Sequence, residues 1–198
     1  MDKYELTSET LQYAGHTLHR IKALRDFGFI NAGELGGWIE SEKNLSQVGN
    51  AWVYGDSIVS DNAWIYCNAK IYDNAKVCDN AIIRDYARVF GNALVTDNAD
   101  IFHYAMICGY VEVRGNAEIR NAKVYDNKDY IVFKNFWSSG RYFTWTRSNN
   151  KWCVGCFYGT GEELIKKAYA DSEISGREYE RVVRYVESIL ADEKKGEK

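Results

Sequence analysis

The chain has no proline, only two methionines and three histidines, and an odd five cysteines among its 198 residues. Without proline no turn is preset by a fixed φ, so reversals must rest on Gly, Asn and Asp, which tolerate a left-handed backbone. Cysteines at 67, 78, 108, 153 and 156 do not make a secreted disulfide framework and fit a reducing compartment. No apolar run approaches the roughly 18 residues of a membrane-spanning helix. The opening MDKYELTSETLQYAGHTLHR has no apolar signal core, so the expectation is a soluble, cytoplasmic protein that does not enter membranes. A dominant charge is missing too: the net −3 divides into −2 over residues 1–48, −3 over 49–127 and +2 over 128–198. That balance argues against nucleic acid as a partner and falls far short of an acidic DNA mimic.

What the chain does have is a six-residue repeat from Gly49 to Asn127. One slot runs Val53, Val59, Ile65, Ile71, Val77, Ile83, Val89, Val95, Ile101, Ile107, Val113, Ile119, all β-branched. Two residues earlier the slot is small, mostly alanine. The pattern small, variable, aliphatic, variable turns two side chains inward and two outward, as a short strand does. The next two slots form a corner: the first is Gly or Asp in ten of twelve hexads and the second is Asn in eight. Strand and corner repeating in this way are the mark of a solenoid. If three hexads close one coil, the twelve make about four coils and a prism about 19 Å tall at a strand spacing of about 4.8 Å. At Ile119 to Val124 the step drops from six to five, where the helix ends.

An open stack exposes strand edges at both ends, so covering segments are expected. Residues 1–48 read as an N-terminal β cap, with KYELT, HTLHRIKAL and GGWIES as strands, turns at 13–15 and 31–33, and a second break at Gly36-Gly37. Residues 128–198 read as an α+β domain of three strands and two helices. The strands are YIVFKNFW, RYFTWTR and KWCVGCF. Thr160 with Glu163 and Ser175 with Glu178 supply capping boxes, and ADEKKGEK is a solvated tail.

The period resembles the hexapeptide repeat of left-handed parallel β-helix proteins over residues 45–127. The resemblance implies a mainly β fold, coils of three hexads, and a homotrimer whose inter-subunit clefts take small ligands. Acyltransferase members of that family use a histidine as general base in such a cleft, which makes His103, the one histidine in the repeat, the alternative catalytic residue. Those members carry the small or acidic residue directly after the aliphatic one, whereas here Gly or Asp comes two after it, and no loop interrupts the register from 51 to 119. The GNA-x-V-x variant, the segment RIKALRDFGFINAGELGGWIESEKNLS and the block GCFYGT-x-EEL resemble phage and prophage hexapeptide-repeat proteins, sometimes called polymer-forming. This second resemblance implies a viral, anti-defence setting in a host cytoplasm.

Residues eighteen apart stack if a coil is three hexads. One corner column is then Gly49, Cys67, Asp85, His103, beside Asn50, Asn68, Tyr86, Tyr104. Just before that corner, Tyr66, Arg84, Phe102 and Arg120 alternate ring and guanidinium, so Tyr66, Arg84, Asp85, Tyr86, Phe102, His103, Tyr104 and Arg120 form the candidate ligand edge. Rings offer stacking surface and guanidinium groups offer paired hydrogen bonds to phosphates. The alternative is a solvated ladder of cation–π and cross-strand pairs without a ligand.

Asp85 and His103, on adjacent rungs, are placed to pair. Cys67 and His103 lie two rungs apart, about 9.6 Å, too far to share a metal. No metal or cofactor is expected. His16 and His19 read as ordinary cap residues, and Cys153 and Cys156 as packing residues. Outward Trp52, Tyr54, Tyr72, Phe90, Met106, Ile58, Leu94, Trp64 and Ile82 expose more apolar surface than a monomer usually shows, so they should meet another subunit or a folded-back cap. The function that follows is a non-catalytic, homo-oligomeric binding protein for a nucleotide-like signal or a host protein. A hexapeptide acyltransferase using His103 and a purely structural scaffold are the alternatives.

Overall fold

The structure, a computed structural model, describes residues 1–196. The fold is mainly β: a parallel β-solenoid followed by a small α+β domain. A hairpin of β1 (Tyr4–Tyr13) and β2 (His16–Ala23) leads to β3 (Leu35–Ile39). β3 is already a rung, since Trp38 and Ile39 pair in parallel with Ile58 and Val59. One face stacks β3, β5 (Ile58–Val59), β8 (Lys76–Val77), β11 (Leu94–Val95) and β14 (Glu112–Val113). A second stacks β4 (Trp52–Val53), β7 (Lys70–Ile71), β10 (Arg88–Val89), β13 (Met106–Ile107) and β16 (Lys123–Val124). The third stacks β6 (Trp64–Ile65), β9 (Ile82–Ile83), β12 (Asp100–Phe102) and β15 (Glu118–Arg120), with Leu45 bridging to Ile65 ahead of them. The prism therefore has about five turns, taller than the four that the hexads alone imply, because Trp38–Leu45 and Lys123–Val124 also stack.

The registers confirm the eighteen-residue coil: Arg88 sits against Lys70 and Met106, and Val95 against Val77 and Val113. All twelve Gly-or-Asp slots have positive φ, including the two exceptions, Cys67 at +57° and His103 at +55°. Asp is favoured there for a second reason. Its carboxylate accepts the backbone N–H of the corner residue one coil later, as Asp73 does from Gly91 at 3.0 Å and Asp97 from Gly115 at 2.8 Å. The Asn slots add amide ladders, with Asn50 donating to Asn68 at 3.0 Å and Asn62 to Asn80 at 3.2 Å. The inward aliphatics and alanines are fully buried and form one continuous column.

Both ends are covered. At the N-terminal end Tyr4 and Phe27 meet Trp52 edge to face, at 6.2 and 5.3 Å, and bury it completely. Ile58 packs against Leu18 and Trp38. These two outward apolar residues are thus covered by a folded-back cap, whereas Tyr72 stacks on Phe90 and meets Tyr54 edge to face. Gly36 and Gly37 lie inside β3 and do not break it. A Cβ on Gly36 would stand 2.5 Å from Ile21 Cγ1 and 2.6 Å from the Val53 carbonyl oxygen, so the residue allows close approach of cap to column.

At the other end β17 (Tyr130–Lys134), β18 (Tyr142–Thr146), β19 (Lys151–Val154) and β20 (Phe157–Gly159) form an antiparallel meander. It closes the last coil: the Glu118 N–H donates to Thr144 Oγ1 at 2.9 Å and the Lys123 N–H to Ser148 Oγ at 2.7 Å. The meander has four strands where three were expected, because Gly155, at φ +57°, turns KWCVGCF into a hairpin. Cys153 is consequently buried and Cys156 exposed, so packing accounts for the first cysteine only. Burial and the Glu118 carboxylate push the Cys153 thiol far up, leaving it unreactive.

Helix α1 (Gly161–Asp171) starts at the expected Thr160/Glu163 box. Helix α2 (Glu173–Gly196) begins ahead of Ser175, whose N–H is accepted by Ser172 Oγ at 3.1 Å, so Ser172 takes the capping role. Residues 191–195 of the expected tail are exposed helix, and the last two lie outside the described residues. No described helix is long and apolar enough to cross a membrane.

Candidate functional site

The predicted edge divides at its corner. On one side the Arg84 guanidinium is already committed to a carboxylate. Arg84 grips Asp100 with a two-pronged hydrogen bond, Nε to Oδ1 at 3.0 Å and Nη2 to Oδ2 at 2.8 Å, while its Cζ lies 4.1 Å from the Phe102 ring centroid. That carboxylate holds the Arg84 guanidinium charged, above its ordinary value. Arg120 lies between the rings of Tyr158, at 4.6 Å, and Phe102, at 5.9 Å, and its Nε is buried without a hydrogen-bond partner. Tyr66 stacks on Trp64 at 4.1 Å, and burial raises its hydroxyl pKa. Asp85 lies 3.5 Å from Arg84 Nη1 and 3.7 Å from His103 Nδ1. Arg84 is thus paired with Asp100 and lies near Asp85, which also approaches His103, while Tyr66, Phe102 and Arg120 make ring contacts beside them.

On the other side of the corner Tyr86 and Tyr104 stack face to face at 5.1 Å, 9° from parallel, and both are exposed. They form one wall of a groove of about 460 Å³. Its floor is the outer surface of the second face, where the register aligns Lys70, Arg88 and Met106 one above another. Asn50 and Asn68 continue the tyrosine wall toward the cap, and Tyr54 borders the far side. The end is closed by a tight turn in which Phe27 and Ile30 exchange backbone hydrogen bonds of 3.0 and 2.8 Å. Gly28 makes that turn at φ +53°, and Phe29 projects from its tip 89% exposed, with its ring 5.1 Å from Lys70 Nζ.

The groove contains two cations and no carboxylate. Neither Lys70 nor Arg88 joins an ion pair among the described residues. The site can therefore take an anionic group on the floor and a flat apolar group against the tyrosine wall. His103 does not line it, although Tyr104, its neighbour, does.

Of the eight predicted residues, the groove gathers Tyr86 and Tyr104, while the other six lie in the paired ladder and corner. Lys70 and Arg88, which line the groove, were not among the predicted residues, yet they occupy one outward position eighteen apart, so the same stacking of the sequence that found the tyrosines contains them. Phe29 carries no such signal, because the irregular cap has no period to read.

Residues 56–91 match the family described as bacterial transferase hexapeptide (six repeats). The chain is also similar to the uncharacterized acetyltransferase YdcK of Escherichia coli (strain K12), at 34% identity over 68 residues, which cover 30% of this chain and 21% of that protein. The chain thus spans about a fifth of that relative's length. Repeat match, eighteen-residue register and left-handed corners agree that the central domain is a hexapeptide-repeat parallel β-helix.

Proposed function

We propose that this protein captures a small, planar, anionic molecule of nucleotide-like character in the Tyr86–Tyr104 groove and does not transform it. The observation that carries the reading is the convergence of two cations that form no ion pair among the described residues, Lys70 and Arg88, with a stacked aromatic wall in one groove that holds no carboxylate. The ring of such a ligand would lie against the tyrosines and its phosphate between Lys70 and Arg88, with the Asn50 and Asn68 amides as polar neighbours. The site moves from the Arg84–Arg120 edge because Asp100 already holds the Arg84 guanidinium, and Arg120 is enclosed between the Tyr158 and Phe102 rings. A homo-oligomer working in a host cytoplasm as a phage or prophage anti-defence factor remains the setting of this proposal, supported by the resemblance of the repeat variant and the C-terminal block.

A second reading has a specific observation in its favour: the similarity to a protein named as an acetyltransferase. In that reading His103, oriented by Asp85, is the general base. Calorimetry with linear, cyclic and ADP-ribose-type nucleotides, beside an acetyl-CoA turnover assay, separates the two. Binding lost in Arg88→Ala with no turnover supports capture. Turnover abolished by His103→Ala contradicts it.

A further inference from the structure

Away from the groove, the tip of the N-terminal hairpin meets the solenoid through three side chains. His16 opens β2, Glu40 follows β3, and Asp61 occupies a corner at φ +57°. Glu40 Oε1 lies 3.2 Å from His16 Nδ1, and Asp61 Oδ1 lies 3.5 Å from His16 Nε2. The remaining carboxylate oxygens are occupied. Glu40 Oε2 accepts the Asp61 N–H at 2.6 Å, and Asp61 Oδ2 accepts from Ser60 Oγ at 3.1 Å and from the Asp79 N–H at 3.3 Å. Each acid is thereby held in place by one oxygen and directs the other at the same imidazole. One donor atom from each of the three residues lies within 4.8 Å of the other two.

The charges are unbalanced as they stand. A backbone contact draws two carboxylates together, and among the described residues neither pairs with a lysine or arginine. An imidazolium compensates one negative charge, whereas a divalent cation beside a neutral imidazole compensates both. The two acids face different nitrogens of the ring, and a modest turn of the imidazole brings one nitrogen toward both. One nitrogen with two carboxylate oxygens suits zinc or a similar divalent transition metal, which would still accept water. The backbone N–H groups that hold Glu40 and Asp61 are the outer-shell support such a site requires.

We propose that His16, Glu40 and Asp61 bind a divalent transition-metal ion that staples the hairpin tip to the early coils. The ion replaces the proton between imidazole and carboxylates and links β2, the end of β3 and the corner after β5. The site is separate from the Cys67–His103 column, whose spacing excludes a shared metal, and it is independent of the groove.

The test is zinc chloride titrated calorimetrically into the chelator-treated full chain, with thermal unfolding measured alongside. The expected result is one ion per chain and a raised Tm, with affinity falling at least tenfold in both His16→Ala and Asp61→Asn. Asparagine tolerates the left-handed φ at 61, so that variant removes the ligand charge while keeping the corner. His103→Ala, which disrupts the other histidine–aspartate pair, should bind zinc as the unaltered chain does. Undiminished binding in both site variants overturns the proposal. So does the absence of saturable binding with a Kd under about 100 µM, which would leave His16 as a simple imidazolium bridge.

Discussion

The Asp85 carboxylate accepts the backbone N–H of His103 at 3.1 Å and stands 3.7 Å from the imidazole Nδ1 of the same residue. The first contact is the one every corner aspartate of the repeat is placed to make with the next coil. Asp79 makes it to Asp97 at 3.1 Å and Asp73 to Gly91 at 3.0 Å, where no imidazole is present. The pair that looks most catalytic in the sequence is therefore built from the stacking device of the solenoid.

His103 is held at φ +55°, a conformation that costs most side chains about 1 kcal/mol and asparagine less. His103→Asn is expected to leave stability unchanged or raise it by up to about 1 kcal/mol, while the β-branched His103→Val should lose about 1–2 kcal/mol. Urea denaturation of the two variants checks this, and a large loss in His103→Asn would show that the imidazole itself holds the coils together.

Gly36 bears on how the cap seats. An added methyl would meet Ile21, the Val53 carbonyl and Trp52 Cζ2, all within 2.7 Å. Gly36→Ala should cost about 3 kcal/mol or more, the upper range for overpacking, because backbone must move. Equilibrium unfolding monitored by tryptophan fluorescence is the measurement. Tolerance of alanine would mean that the cap docks more loosely than the contacts on Trp52 imply.

Lys3 supplies a pH dependence. Its side chain is fully buried, donates to the Ala51 carbonyl at 2.9 Å and lies near the rings of Tyr4 and Phe27. Burial, aided by Arg25, lowers its pKa from 10.5 to about 8. The unfolded chain then holds the proton more tightly than the folded one, so the Lys3 contribution to stability rises as pH increases from about 8 toward 10.5, by roughly 3 kcal/mol in all. Above about pH 9 the buried Tyr4 hydroxyl and Cys153 thiol, both pushed up, act in the opposite sense, because only their unfolded forms ionise. The clean window is pH 8 to 9, where Lys3→Met should flatten the slope of stability against pH. An identical slope in that variant would contradict the assignment.

The repeat was legible because its regularity is physical. β-Branched residues fill the narrow interior, alanine leaves room beside them, and a left-handed residue turns each corner, so the sequence itself counts the coils. Stacking by eighteens correctly placed Tyr86 against Tyr104 and Asp85 against His103. It placed Arg84 correctly as well, but reading vertical columns alone passed over the diagonal neighbour Asp100, which stands opposite Ile82 on the next rung and holds the guanidinium. The groove was only half legible. Its floor follows the register, whereas Phe29 comes from an aperiodic turn positioned by the burial of Phe27 and Ile30. The meeting of His16, Glu40 and Asp61 was illegible in a stronger sense, since they are brought together by the antiparallel return of the hairpin, which no repeat encodes.

Calorimetric titration of a nucleotide panel into four proteins distinguishes a ligand received by Lys70 and Arg88 from one received by Arg84. At least one nucleotide should bind the unaltered chain and Arg84→Ala alike, with affinity reduced at least tenfold in Arg88→Ala and in Lys70→Ala. Binding that survives both groove substitutions, or that disappears with Arg84→Ala in a folded protein, would contradict it.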